Sequence, residues 1–185
     1  MNGGRVLSIE TVAVVGAGEA GTRFAVLAAL AGCSVRVHDT SPGALERGFE
    51  AVRQLVEAAG AAGMFTPRDR QRILDGVLFT TDLDEAVIAA DLVLDAGGEG
   101  AAERLARLTV VTRASSPLAT VDAPPADLAR LPQPGRVLAL RLAEGAGPVP
   151  QLLVVPAAAT AAHAIARAED FARRLNRAAQ AQDAA

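Results

Sequence analysis

The sequence contains no tryptophan, no tyrosine and only one cysteine among its 185 residues. Aromatic residues make up 3% of the chain, so a core has to be built mainly from Ala, Leu, Val and Ile. The single cysteine, Cys33, excludes an internal disulfide and reads as a small buried hydrophobe leading into a strand. There are only two histidines, His38 and His163, and no Cys/His cluster with the spacing of a metal site. Basic residues do not gather into a stripe interleaved with aromatics, and the net charge is −3, so nucleic-acid binding is disfavoured. Long apolar runs are also missing. The first apolar stretch is interrupted by Glu19 and Arg23, too early for a membrane span or the core of a secretory signal. A cytoplasmic protein with no membrane association is the expectation. There is no internal repeat and no obvious linker.

What is present is hydrophobicity without aromatics. Hydrophobic residues form 51% of the chain, enough to exclude a disordered polymer, and 185 residues suit one domain with a real core. Residues 10–15, ETVAVV, are short, β-branched and apolar, the pattern of a buried parallel strand. Gly16 breaks that strand, and from about Gly18 a helix runs to Gly32 with Phe24, Leu27 and Leu30 on its apolar face. SVRVHD, residues 34–39, is a second strand, which completes a β-α-β unit. Thr40 or Ser41 can cap the next helix, with Pro42 in its first turn and ALERGFEAVRQLVEAAG as its body. Thr66-Pro67 opens a second arm to about Leu74, so the second strand is followed by a helical hairpin.

Further on, strands are expected at 77–81, 91–96 and 109–115, with short helices over 82–90 and within GGEGAAERLARL. PADLARL allows a helical turn or two. RVLALRL (136–142) and QLLVVP read as strands, and ATAAHAIARAEDFARRLNR as an amphipathic helix. The whole predicts one α/β domain over residues 1–176, a doubly wound, mostly parallel Rossmann-type sheet. Residues 177–185 carry no packing pattern and are expected to fray.

VAVVGAGEAG, residues 12–21, places a G-x-G-x-x-G between strand and helix, the context that gives the motif its meaning. Gly16 permits the tight turn, Gly18 the approach of a pyrophosphate, and Gly21 close packing of helix on strand. With Ala17, Glu19 and Ala20, these glycines would face the phosphates of a dinucleotide with first-turn amides and the helix macrodipole. Asp39, at the end of the second strand, can accept hydrogen bonds from both ribose hydroxyls and repels a 2′-phosphate, which favours NAD(H) over NADP(H). Arg36 is poorly placed to rescue that phosphate, and His38 points away from Asp39 as a packed or solvated strand residue. Glu19 is the anomaly. It suits the helix start, opposes a nearby anion, and has Arg23 at i+4 as a possible partner.

From TVAVVGAGEAG, VRVHDTSPGALERGFEAVR and LFTTDLDEAVIAADLVLDA, the chain resembles the N-terminal NAD-binding domain of 3-hydroxyacyl-CoA dehydrogenases over residues 10–176. The resemblance implies NAD(H) as cofactor, an acyl-CoA-like small molecule near the hairpin, and Gly16, Gly18, Gly21 and Asp39 as cofactor contacts. It also implies that Glu99 lies near the nicotinamide-side ribose and that Ser115 touches substrate and cofactor. The family's catalytic histidine, however, is matched by Arg141, its asparagine by Gly147 or Glu144, and its orienting glutamate falls at about Val155. Oxidising an alcohol needs a base that can take the hydroxyl proton near neutral pH. An arginine stays protonated there, although it can polarise a carbonyl or anchor an anion. Ser115, Arg141 and Glu144 are the remaining candidates for a catalytic role; His163 reads as a surface or packing residue.

Family members continue into a helical domain that dimerises and closes the cleft. A homo-oligomer or a partner protein replacing that domain is therefore expected here. Three functions stand open. The chain is an NAD(H)-binding protein without the family's catalysis, an oxidoreductase with rewired acid-base chemistry on a hydroxyacyl or similar substrate, or an interaction domain with an empty cleft.

Overall fold

The computed structural model describes residues 8–121, 124–143 and 151–183. In chain order the elements are β1 (Thr11–Val15), α1 (Glu19–Leu30), β2 (Ser34–His38), α2 (Pro42–Ala61), α3 (Pro67–Gly76), β3 (Val77–Thr80), α4 (Leu83–Val87), β4 (Leu92–Asp95), α5 (Ala101–Val111), β5 (Leu118–Thr120), α6 (Pro125–Leu128), β6 (Val137–Ala143), β7 (Gln151–Pro156) and α7 (Ala162–Asp183), with one 3-10 turn at Pro134–Arg136.

The strands form one sheet in the order β3-β2-β1-β4-β5-β6-β7. All neighbours are parallel except β6 and β7, which run antiparallel. This is the doubly wound arrangement expected from the sequence. Its strand order reverses between β1 and β4, where ligands of such sheets bind. The pleat of β1 divides the core. Val12 and Val14 face Phe24, Leu27, Ile73 and Phe171, under α1, α3 and α7. Ala13 and Val15 face Val87, Leu105 and Leu128, under α4, α5 and α6. Phe24 and Phe171 meet with ring centroids 6.1 Å apart, joining α1 to α7.

The hairpin after β2 forms for the reasons legible in its sequence. Ser41 rather than Thr40 is the cap of α2, its hydroxyl accepting from Ala44 N–H at 3.2 Å, with Pro42 in the first turn. Thr66 and Asp69 satisfy each other's backbone N–H groups in a capping box at the start of α3, with Pro67 next. The arms pack so closely that a Cβ on Gly60 would stand 2.6 Å from Arg70 Cδ.

One strand has to be corrected. Residues 109–115 are not a strand; α5 continues through Val111, and the fifth strand is the three-residue Leu118–Thr120. The β-branched run Thr109-Val110-Val111 suggests a strand, but Ala101, Leu105 and Leu108 set a helical stripe that continues into it. Thr109 and Thr112 donate their hydroxyls back to the carbonyls of Ala106 and Leu108. Val110 is 82% exposed, which no residue of a central sheet strand would be. The last helix, α7, runs from Ala162 to Asp183. No helix among the described residues is long and apolar enough to cross a membrane.

Candidate functional site

The turn from β1 into α1 lies at the C-terminal edge of the sheet, beside the reversal in strand order. Each glycine has a separate physical reason to be there. Gly16 has φ +112°, and a Cβ on it would stand 2.8 Å from the Ala96 backbone. Gly21 could carry a Cβ only 2.0 Å from the Gly16 carbonyl oxygen, so it seals helix to strand. Gly18 differs from both: nothing lies within 4 Å of where its Cβ would be. It is the N-cap of α1 and supplies no side-chain cap, which leaves the first-turn N–H groups directed outward.

Asp39 sits just beyond β2 and is held by backbone donors: Ala17 N–H gives to Oδ2 at 3.1 Å and Ser41 N–H to Oδ1 at 3.0 Å. Each carboxylate oxygen keeps a further lone pair for a diol. Gly16, Ala17, Gly18, Glu19 and Asp39 line one cleft of about 1040 Å³, closed on its other flank by Arg47, Gln54 and Leu55 of α2. Gly48 lets α2 come this close, since a Cβ there would meet the Ala17 carbonyl at 3.0 Å. Gly21 packs beneath the cleft, and Ala20 lines a neighbouring one.

Glu19 does not fill the cradle. Its side chain is 87% exposed and 3.7 Å from Arg23, one helical turn on. Solvent screens such a charge, and the pair itself contributes little.

The loop after β4 holds a feature that sequence reasoning missed. Asp95 is fully buried at the strand's end, and Arg104 of α5 reaches back to it, Nε to Oδ1 at 2.7 Å and Nη2 to Oδ2 at 3.2 Å. The same guanidinium donates to the Gly98 carbonyl at 2.8 Å and to the Glu99 carbonyl, and so pins the loop's main chain. The signals were a charged residue ending a buried strand and an arginine within the next helix. Glu99 itself is exposed and lines an adjacent cleft of about 470 Å³ with Asp127, sharing Gly98 with the larger one.

Ser115 must be corrected along with the strand that was expected to carry it. It lies on the turn before β5, at the N-terminal end of the strands, where its carbonyl accepts from Arg167 of α7 at 2.6 Å. The glycine turn is at the other end of the sheet. The C-terminal end of β5 is occupied instead by Thr120, which is buried. Arg141 is on β6 at the cleft side, its Nη1 donating to the carbonyls of Thr120 at 3.2 Å and Leu140 at 3.1 Å. Across the antiparallel ladder it faces Leu153, while Val155 faces Ala139. The register of the expected partner is thus shifted by two residues, and neither position carries a carboxylate. Glu144 and Gly147 lie outside the described residues. No group of three or more His, Cys, Asp or Glu among the described residues could hold a metal ion.

His38 ends β2, buried, and its carbonyl accepts from Gly16 N–H at 2.8 Å. It is the packed strand histidine of the sequence reading. Burial pushes its pKa below the ordinary value; the nearby Asp39 carboxylate, the Thr81 main chain and Asp82 offset this only in part. The unfolded chain binds this proton more readily. The stabilisation is therefore complete above the unfolded value of about 6.5 and is lost as pH falls from there through the folded value. The urea midpoint is expected to fall between about pH 7.5 and about pH 5.5, and to fall less in His38→Asn. Equal slopes for the two proteins would remove His38 as the cause.

Comparison with known proteins agrees with this geometry. Residues 11–181 match the family described as "3-hydroxyacyl-CoA dehydrogenase, NAD binding domain". The 3-hydroxybutyryl-CoA dehydrogenase of Mycobacterium tuberculosis H37Rv is 35% identical over 172 residues, covering 89% of this chain and 60% of that protein. The crystal structure of M. tuberculosis FadB2 superposes with a TM-score of 0.84 at 32% identity, covering 92% of this chain and 62% of the other. That of 3-hydroxybutyryl-CoA dehydrogenase from Escherichia coli K12 gives a TM-score of 0.81 at 29% identity, over 92% and 37%. The chain therefore spans less than two thirds of the length of these relatives. With the matched residues extending from the glycine turn to the last helix, the chain belongs to the family of the NAD-binding domain of 3-hydroxyacyl-CoA dehydrogenases.

Proposed function

We propose that the chain is an NAD(H)-binding protein that does not carry out the family's alcohol oxidation. Family membership makes NAD(H) the cofactor, and the cleft fits it. Gly18 leaves open the space a pyrophosphate requires, Gly16 and Gly21 make the turn, and α1 directs its first-turn amides there. The observation that carries the reading is the Asp39 carboxylate, fixed at the cleft wall by Ala17 and Ser41 N–H and placed to receive a ribose diol. Glu99, on the loop pinned by Arg104, would meet the other ribose. The cofactor supplies hydride chemistry when bound; the chain's own part is to bind and orient it.

What argues against alcohol oxidation is β6. The guanidinium of Arg141 cannot take a hydroxyl proton at neutral pH, and Leu153 opposite it can neither orient nor charge-balance a base. The protein then serves as a cofactor-binding or partner-binding module in the cytoplasm. The open cleft is covered by a second copy or by a partner protein.

Titration of NADH fluorescence tests the reading. The parent chain should saturate, prefer NADH to NADPH, and lose roughly tenfold in affinity in Asp39→Ala, the loss expected from charge-assisted hydrogen bonds partly replaced by water. No saturable signal would leave the empty-cleft reading, and equal affinity for NADH and NADPH would refute the role of Asp39. Acetoacetyl-CoA added to the NADH complex should leave NADH absorbance unchanged. Steady consumption that disappears on substitution in the glycine turn would establish an active oxidoreductase instead.

A further inference from the structure

The two edges of the sheet are finished differently. β7 is closed. The Asn176 side chain of α7 accepts from Leu152 N–H at 2.8 Å and donates to the Leu152 carbonyl at 3.1 Å, and Pro156 ends the strand without an N–H. An amide held in this way takes the place of a neighbouring strand. β3, at the other edge, is open. Asp39 N–H donates to the Thr80 carbonyl at 3.4 Å, so Leu78 and Thr80 turn their main-chain groups toward β2, and Val77 and Phe79 turn theirs outward. No side chain among the described residues bonds to those outward groups. The strand VLFT also carries neither charge nor proline, the residues that commonly keep an edge from pairing.

Both faces of this open edge are apolar and exposed. On one face Phe49 of α2 meets Phe79 edge-on, with ring centroids 5.9 Å apart, and is 48% exposed. On the other face Leu78 is 56% exposed. Only two residues join β3 to α4, so the helix runs back along the strand, and Glu85 accepts from the Thr80 hydroxyl at 2.7 Å. One helical turn past Glu85 is Ile88, 62% exposed; two residues before Thr80 is Leu78. Both steps go the same way by about 5–7 Å and bring Ile88 level with Leu78. Arg36 of β2 is in register with Leu78 and shares its face. Its Nε is buried without a partner, and its guanidinium makes no hydrogen bond or ion pair among the described residues. The exposed Asp84 carboxylate of α4 makes none either.

The occupant that fits is a second copy of the chain. A strand paired with itself about a two-fold axis runs antiparallel, and each patch then meets its own equivalent. Phe49, Leu78 and Ile88 would cover their counterparts. Arg36 and Asp84 give each patch an unpaired charge of either sign, which a copy matches in both directions. An acidic peptide would be opposed by Asp84 and Glu85, and a basic one by Arg36. The patch is smaller than the interface of a stable dimer, which uses about 20–30 residues a side, so the association is weak and reversible.

We propose that β3 is a dimerisation edge: two copies of this chain join antiparallel through Val77–Thr80 into one continuous sheet, flanked by Phe49 on one face and by Leu78 with Ile88 on the other. None of these residues lines the dinucleotide cleft, so the inference stands apart from the NAD(H) reading. Sedimentation velocity on the full chain tests it, over a range of about 5 µM to about 1 mM that brackets a weak complex. The parent should pass reversibly from monomer to dimer, and exchange of the Phe79 amide should slow as concentration rises. Leu78→Lys changes an exposed side chain and should weaken the dimer by about tenfold or more. Asp84→Lys should weaken it by about threefold to tenfold at low salt and less at high salt. Val110→Lys, which alters an exposed apolar residue far from this edge, should associate like the parent. A parent that stays monomeric throughout, growth beyond the dimer, or Leu78→Lys associating like the parent would overturn the proposal. If Leu78→Lys loses its fold by circular dichroism, the parent decides: unslowed Phe79 exchange in the associated protein overturns β3 as the contact, and slowed exchange supports it.

Discussion

Gly18→Ala is expected to fold like the parent chain and to lose NADH affinity by roughly tenfold to a hundredfold. A methyl placed where a ligand must pack costs about 1–3 kcal/mol, and 1.4 kcal/mol is a factor of ten. The fold has no objection to that methyl. Gly18 has φ −74°, which any residue adopts, and nothing lies within 4 Å of its Cβ direction. Glycine is a better N-cap than alanine, but alanine restricts the unfolded chain more, and these small terms oppose each other. Gly21→Ala, three residues on, is expected to do the reverse and damage the fold. Its Cβ would lie 2.0 Å from the Gly16 carbonyl oxygen and 3.2 Å from Val14 Cγ1, so backbone must move. Alanine gains about 1 kcal/mol over glycine inside a helix, against an overpacking cost of about 3 kcal/mol or more. The net loss of about 2 kcal/mol should lower Tm by about 4–8 °C for a chain of this length. Thermal melts and NADH titrations on both variants separate the roles. A destabilised Gly18→Ala with normal NADH affinity would mean that the open space beside Gly18 belongs to the fold and not to a ligand.

The parts that Gly16 and Gly21 play in the turn were legible in the sequence because each answers a local demand. The hairpin was legible for the same reason, since Ser41-Pro42 and Thr66-Pro67 carry their own start signals. What could not be read was whatever depends on a partner distant in sequence. The one local exception is Glu19, whose i+4 partner Arg23 was legible although the direction of the side chain, into solvent, was not. Asp95 and Arg104 are unremarkable as letters and become a latch only when α5 packs back on β4. The register of β6 on β7 is set by packing on both faces, and the seven residues between the strands do not fix it as a two-residue hairpin turn would. Leu153 rather than Val155 therefore came to face Arg141. Ser115 was misplaced because Thr109-Val110-Val111 is β-branched, and tertiary packing of Leu105 and Leu108 overrides that preference. With the strand moved on to Leu118–Thr120, Ser115 passed to the other end of the sheet.

The residue that enforces this outcome gives the second large effect: Arg136→Met is expected to cost about 3 kcal/mol or more, because it leaves the carbonyls of the buried Thr109 and Ser116 without a donor. Arg136 precedes β6 and is only 4% exposed. Its Nη1 donates to the carbonyls of Arg113 (2.6 Å) and Ser116 (3.2 Å) and to the Thr112 hydroxyl (2.9 Å), and its Nη2 to the Thr109 carbonyl (2.6 Å). One guanidinium thus collects the loose carbonyls at the end of α5 and turns the chain toward β5. Burial pulls its pKa below the usual arginine value, but a guanidinium remains charged throughout the working range. Methionine keeps much of the stem's packing, so the loss reports hydrogen bonding rather than volume. Lysine retains the charge but not the fork, and should recover only part of the loss. Urea unfolding of Arg136→Met, Arg136→Lys and the parent measures this directly, at an unchanged slope. Any Arg136→Met protein that does fold should titrate NADH normally, since Arg136 lies at the end of the parallel strands away from the glycine turn. A loss below about 1 kcal/mol would mean that water reaches those carbonyls and that α5 ends at Val111 without this cap.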